Sequence, residues 1–235
     1  VDQSEGFIKT AQMRLRKDIQ LQVGNAMDLP LEDDSVDIAV SGLLLNIPPE
    51  PDLALKEMVR VTVNGGTVAA YVWDYSGGME MLQYFWEAAA ELNLMADVMH
   101  EGKRYADSDK PGLRQLFTDG GLEEISITSI EVSQQFTDFE QFWTPFLAGQ
   151  GTAPTYLLSQ SKEEQIALRD LLHSRLPIAA DGSIKLRARA WAIKGQVSKP
   201  ADSTEYRNTP LLNSSPVAIS YSLFSLKNKN THTPS

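Results

Sequence analysis

Asp2 is the most chemically suggestive carboxylate in this chain. It stands just ahead of Ser4-Glu5-Gly6-Phe7, where Ser4 is placed to cap a helix with Phe7, Ile8, Ala11 and Leu15 on one stripe. An acid at the entry to such a helix is where nucleotide-binding α/β folds hold a ribose through its hydroxyls. A second polar cluster, Gly24-Asn25-Ala26-Met27-Asp28, follows an alternating segment. Asn25 offers either a turn-forming side chain or a carbonyl acceptor, and Met27 offers apolar contact. Ser41 closes the apolar run Val36-Asp37-Ile38-Ala39-Val40, and no neighbouring His or other base makes it a nucleophile. Asp74 and Tyr75 follow a third apolar run and either face a substrate or form a structural corner. Asp28, Asp33 and Asp34 read as solvated loop charges.

Bulk properties narrow the chemistry. The 235 residues carry a net charge of -10, which argues against a phosphate-neutralising nucleic-acid surface. There is no cysteine, so disulfides, thiolate metal sites and cysteine nucleophiles are excluded. His100, His173 and His232 lack metal-ligand spacing, and no metal is expected. No apolar run reaches membrane-spanning length and no signal-peptide pattern is present. The expectation is an acidic cytoplasmic protein with neither nucleic acid nor membrane as partner; oligomeric state is not legible.

The elements that must position these residues alternate. Ile19–Val23 alternates apolar with polar as a half-exposed strand does, and Val36–Val40 reads as a strand covered on both faces. Pro51-Asp52 opens a helix with Leu53, Leu55, Met58 and Val59 inward, stopped at Asn64-Gly65-Gly66. Thr67–Trp73 is the next buried strand, and this alternation means a parallel sheet wrapped by helices. Ser76-Gly77-Gly78 leads into a Met-rich aromatic helix, and Pro111 to Gly120-Gly121 brackets a short one. Ile125, Ile127 and Ile130 mark a strand. Capping boxes are expected at Thr137–Glu140, before the aromatic helix Phe139 to Phe146, and at Ser161–Glu164. Ile184–Trp191 alternates as a last strand near a sheet edge. Beyond Lys199-Pro200, Ser, Thr, Asn and Pro dominate, so residues 200–235 read as a disordered tail with a brief apolar patch at Val217 to Leu226.

Taken in order, Val1-Asp2-Gln3-Ser4, Gly24–Pro30, Val36–Ser41, Ala54–Val61 and Asn64–Val68 resemble the class I S-adenosylmethionine-dependent methyltransferases, in the branch acting mainly on small molecules. The resemblance covers residues 1 to about 135 distinctively and extends loosely to about 195. It implies a methyltransferase domain over 1–199, with substrate-side elements at 76–118 and 137–180. It also implies an α/β Rossmann-like sheet with helices on both faces. S-adenosyl-L-methionine is the implied cofactor. Asp2 takes the ribose hydroxyls, Gln3 lies against the adenine, and Asn25-Ala26 stands where the family has Asp-Ala reading the adenine edge. Met27 contacts the ring, and Ser41 sits where backbone approaches the methionine end. Asn for Asp at position 25 weakens adenine recognition. Asp74 and Tyr75 are the nearest candidates for catalytic residues, since methyl transfer asks mainly for alignment and exclusion of water.

The family places its third strand outermost, followed by the second, first, fourth and fifth. On that pattern residues 1–235 lack the first strand, most of the second and the glycine-rich turn; no G-x-G-x-x-G occurs in the chain. The expectation is an unpaired apolar edge at Val36–Val40 and poor cofactor binding by this polypeptide alone. Two rivals remain: a nicotinamide-dependent oxidoreductase, which also uses an acid after its second strand, and a catalytically dead fragment or interaction module.

Overall fold

The computed structural model describes residues 1–48, 50–93, 96–105, 108–149, 151–199 and 217–221. Helix α1 spans Glu5–Arg14, where the Ser4 hydroxyl accepts from the Phe7 N–H. Glu5 in its first turn and Arg14 in its last suit the helix dipole. Strand β1 (Val36–Gly42) is followed by α2 (Pro51–Val61) and β2 (Thr62–Trp73). Helix α2 begins on a proline and turns Ala54, Leu55, Met58 and Val61 inward. Next come α3 (Glu80–Leu92), the short α4 (Ala96–Met99) and α5 (Glu101–Arg104), then α6 (Lys110–Asp119) and β3 (Leu122–Phe136). Helix α7 (Phe139–Trp143), a 3-10 turn at Thr144–Ala148, α8 (Thr152–Ser159) and α9 (Lys162–Arg175) precede β4 (Ile184–Val197). Val217–Tyr221 forms β5.

The strands make one sheet in the order β3-β4-β2-β1-β5. β1 runs parallel to both β2 and β5, whereas β4 is antiparallel to β2 and to β3. Burial along β4 shows that helices cover both faces. Ile184, Leu186, Ala188 and Ala190 are buried in its first half, and Trp191, Ile193 and Val197 in its second. Because neighbouring side chains on a strand point to opposite faces, the parity change at Ala190-Trp191 transfers burial from one face to the other. The first half packs with Phe85, Trp86, Phe142 and Phe146 from the helical half of the molecule. The second joins Leu55, Val61, Leu113 and Phe117 of α2 and α6.

Several expectations change. Ile19–Val23 is not a strand: among the described residues only Val23 pairs, in an isolated bridge to Asp2. Asn64-Gly65-Gly66 does not stop α2, which ends at Val61; these residues form an irregularity inside β2, where the register to β1 shifts between Val36 and Ile38. Ile184–Val197 does lie near the sheet edge, one strand in from β3, but it is not the last strand, because β5 follows it. Asp138 rather than Thr137 caps α7, accepting from the Gln141 N–H, while the Ser161–Glu164 capping box forms as read. The expected open edge of β1 is covered by β5, which the sequence reading had placed in a disordered tail. Residues 200–216 and 222–235 of that tail lie outside the described residues.

Candidate functional site

In parallel α/β sheets ligands bind beyond the carboxyl ends of the strands, and the candidate residues gather there. Asp2 is fastened by backbone: its N–H donates to the Gln22 carbonyl at 3.2 Å, and its carbonyl accepts from the Gly24 N–H at 3.1 Å. The Ser4 N–H donates to Asp2 Oδ1 at 2.7 Å and aims the carboxylate. A carboxylate has roughly four acceptor positions, so capacity for a diol remains.

Gln3 Nε2 donates to Asn25 Oδ1 at 3.1 Å, and the Met27 N–H donates to the same oxygen at 3.0 Å. Asn25 therefore closes an Asx turn with both lone pairs of its carbonyl in use. An adenine amino group would have to displace one of these donors. Ala26 and Ser41 line a single apolar hollow together with Val1, Leu29, Ala39 and Leu45. Ser41 is 1% exposed and its Oγ has no hydrogen-bond partner among the described residues. Asp2, Gln3, Asn25 and Met27 are thus linked by bridges and hydrogen bonds, and Ala26 and Ser41 share the adjoining hollow.

Helix α2 holds the Asn25–Met27 segment in place. Glu57 accepts from the Leu29 N–H at 2.7 Å, while Arg60 donates to the Leu29 and Leu31 carbonyls and to Asp33. The hydrogen bonds from Arg60 hold the Glu57 carboxyl below the ordinary carboxylate range.

Asp74 and Tyr75 part company. Asp74 is 2% exposed, and its Oδ2 accepts from Arg189 Nε at 2.7 Å and Nη2 at 2.6 Å. Ser76 Oγ donates to its other oxygen at 2.7 Å. This pair binds the end of β2 to β4, so the carboxylate is engaged structurally. Tyr75 instead hydrogen-bonds the Asn46 side chain, and its ring centroid lies 5.3 Å from that of Tyr105. Burial, with Glu101 nearby, pushes its phenol above the ordinary tyrosine range, so at neutral pH it is a hydrogen-bonding group rather than a base. Asn46 Oδ1 is buried without a hydrogen-bond partner among the described residues.

Glu101 completes this corner. It is 6% exposed, accepts from the Trp86 indole N–H, and hydrogen-bonds the Thr152 side chain. Burial raises its carboxyl above the ordinary range. Sequence reasoning missed Asn46, Glu101 and Tyr105. Asn46 carried a readable signal, as the lone polar residue in Leu43-Leu44-Leu45-Asn46-Ile47-Pro48. Glu101 had none, because its apolar surroundings come from α3 and α8. The aromatic segment Phe139 to Phe146 is an α-helix followed by a 3-10 turn and packs solidly: Phe142 and Phe146 are 0% and 1% exposed.

Among the described residues, no group of three or more His, Cys, Asp or Glu is placed to hold a metal, and no helix is long and apolar enough to cross a membrane. Residues 1–70 match the family model described as a methyltransferase domain. The demethylmenaquinone methyltransferase of Lysinibacillus sphaericus is 28% identical over 138 residues, covering 54% of this chain and 59% of that protein. That of Bacillus cereus is 26% identical over 141 residues, covering 54% and 60%. The chain therefore spans about 60% of the length of the curated relatives it matches. A crystal structure of a candidate methyltransferase from Bacillus halodurans superposes with a TM-score of 0.52 at 14% identity, covering 84% of this chain and 81% of that one. The segment bearing Asp2, Asn25 and Ser41 thus matches a methyltransferase domain, and the sheet with its flanking helices shares the fold of the Bacillus halodurans structure.

Proposed function

We propose that this protein transfers a methyl group from S-adenosyl-L-methionine to a small, largely apolar acceptor. The observation that carries the reading is a pair of orphaned buried atoms, Ser41 Oγ and Asn46 Oδ1, at the carboxyl end of β1. Buried polar atoms without a protein partner are where a ligand's hydrogen bonds belong. Ser41 borders the apolar hollow beside Asp2, and Asn46 borders Tyr75, so the two orphans stand on the cofactor and acceptor sides respectively.

The residues fit that cofactor. Asp2 would accept the ribose hydroxyls; Gln3, Ala26 and Met27 would border the adenine; Ser41 would meet the methionine end. The bound cofactor supplies a methyl group already activated on sulfonium, so no acid or base is required of the protein at that atom. Asn46 Oδ1 would accept from a hydroxyl or amine of the acceptor, and the Tyr75 hydroxyl orients Asn46 through their hydrogen bond. Leu44 and Leu45 exclude water beside them. The names of the two curated relatives give demethylmenaquinone as what those enzymes methylate, which supports a small apolar acceptor here.

Affinity of residues 1–235 for the cofactor is expected to be weaker than micromolar, because no G-x-G-x-x-G turn occurs among them and Asn25 already has two donors. Calorimetric titration with S-adenosylmethionine and with a nicotinamide dinucleotide tests both parts. Weak saturable binding of the first, lost in Asp2→Ala, is the expected result. Micromolar affinity would overturn the impairment alone. Binding of the dinucleotide in its place would overturn the transferase reading.

A further inference from the structure

Two carboxylates are buried among the described residues, and they differ in what balances their charge. Asp74, 2% exposed, is held by the Arg189 guanidinium, whereas Glu101, 6% exposed, makes no ion pair with a described residue. Arg104 is near enough to act on Glu101 through space, but its guanidinium lies over the Tyr105 ring, 5.6 Å from the centroid. The donors that reach the Glu101 carboxylate are all uncharged: the Trp86 indole N–H, the Thr152 side chain and its own backbone N–H. A carboxylate has about four acceptor positions, so room for a further donor remains. Burying an ion without its opposite is costly, and burial accordingly pushes this carboxyl toward its neutral form. An ammonium beside it would restore the charged form.

The surroundings suit a cation. The Tyr75 and Tyr105 ring centroids are 5.3 Å apart, and both Glu101 and Tyr105 act on the Tyr75 phenol. On the other side the Trp86 ring lies 5.4 Å from Tyr156 and 6.0 Å from His100. Aromatic faces attract cations, and more strongly where water is excluded. Backbone fixes the place: a Cβ on Gly102 would lie 2.6 Å from the Tyr75 carbonyl oxygen, so α5 rests directly on the chain leaving β2. Tyr75 also hydrogen-bonds Asn46, so Glu101 and the orphaned Asn46 Oδ1 flank one tyrosine at the carboxyl end of the sheet.

We propose that Glu101, with the rings of Tyr75 and Tyr105, is an ammonium-binding site that holds a basic nitrogen of the methyl acceptor. The acceptor is then a small amine on a largely apolar frame, with a second polar group on Asn46. Its role as an acceptor site rests on the methyl-transfer reading above; its affinity for an ammonium does not. No bond is made or broken at Glu101.

Calorimetric titration of the full chain without cofactor, at neutral pH, tests the site with two probes of one shape. Benzylamine is cationic under these conditions and benzyl alcohol is neutral. Benzylamine should bind saturably and about tenfold more tightly than benzyl alcohol. Glu101→Gln should remove that preference and leave the affinity for benzyl alcohol unchanged. The assigned indole N–H resonance of Trp86 is the local reporter. It should shift with benzylamine in the parent chain, while an unmoved Trp191 indole in Glu101→Gln separates loss of the site from loss of the fold. Absence of benzylamine binding would overturn the proposal, as would equal affinity for the two probes. So would benzylamine binding that is indifferent to Glu101→Gln or leaves the Trp86 resonance in place. Failure of S-adenosylmethionine to bind, with benzylamine passing these tests, would overturn the acceptor role and leave the ammonium site standing.

Discussion

Glu57 and Arg60, three residues apart on α2, meet as a two-pronged pair: Arg60 Nε donates to Oε1 and Nη2 to Oε2, each at 2.7 Å. Both side chains also reach the Leu29–Asp33 loop, so the pair works as a bracket between helix and loop.

Arg60→Ala is expected to destabilise the fold by about 1–3 kcal/mol, since hydrogen bonds to charged groups and two backbone carbonyls are lost together. Lysine cannot reproduce the planar fork, so Arg60→Lys should recover little of the loss. Protection of residues 25–33 in hydrogen exchange reports the loop directly. The Glu57 carboxyl is depressed when folded, so its contribution is present above the unfolded carboxylate range and lost as pH falls through the folded value. The acid limb of a melting-temperature profile should therefore be shallower in Arg60→Ala.

Glu101 has the opposite sign. Its folded carboxyl is raised, so the stability it contributes is full below the ordinary carboxylate range and is lost as pH rises through the raised value. Glu101→Gln keeps an acceptor for the Trp86 N–H and should flatten that decline. Glu101→Ala leaves the buried indole N–H without a partner and should cost about 1–3 kcal/mol at low pH, where Glu101 is protonated, with the difference narrowing as pH rises. Denaturant midpoints between pH 4 and 8 distinguish the two variants.

Asp74 and Tyr75 should separate by readout. Arg189→Ala leaves Asp74 buried and uncompensated, and a loss of about 3 kcal/mol is expected. Tyr75→Phe removes only the hydroxyl that orients Asn46, with a stability cost near 1 kcal/mol. On the methyl-transfer function proposed above, Tyr75→Phe should raise the KM for the acceptor while kcat changes less. Thermal melts paired with initial rates check this.

The Gly65-Gly66 pair offers a steric contrast. A Cβ on Gly66 would lie 2.7 Å from the Asp37 carbonyl oxygen and 2.9 Å from that of Val63, both backbone. A Cβ on Gly65 would meet nothing, but its φ is +78°. Gly65→Ala should cost about 1–2 kcal/mol for its left-handed backbone. Gly66→Ala should cost more, because β1 and β2 must move apart. Their melting temperatures should rank accordingly.

Local periodicity made the β1–α2–β2 unit legible: continuous apolar runs, a proline at the helix start, and an apolar helix face. The Asp2–Asn25 neighbourhood was also readable, because motif order carried it. What failed depended on partners distant in sequence. Ile19–Val23 alternates as strands do, but alternation records exposure and supplies no neighbour to pair with. Asp74 looked available until Arg189, in β4, took both approaches to one oxygen. The Val217–Tyr221 strand was hidden by its setting, since composition averaged over the tail dilutes five residues of strand-forming sequence.

The β1–β5 pairing also bears on how the molecule is made. β1 and β2 are close in sequence and can zip early, whereas Ile38 must wait for Val217, across most of the chain. Closing a loop that long is slow relative to local contacts. The β1–β5 pairing should therefore form in the slowest phase of refolding, after the β1–β2 contacts are already in place.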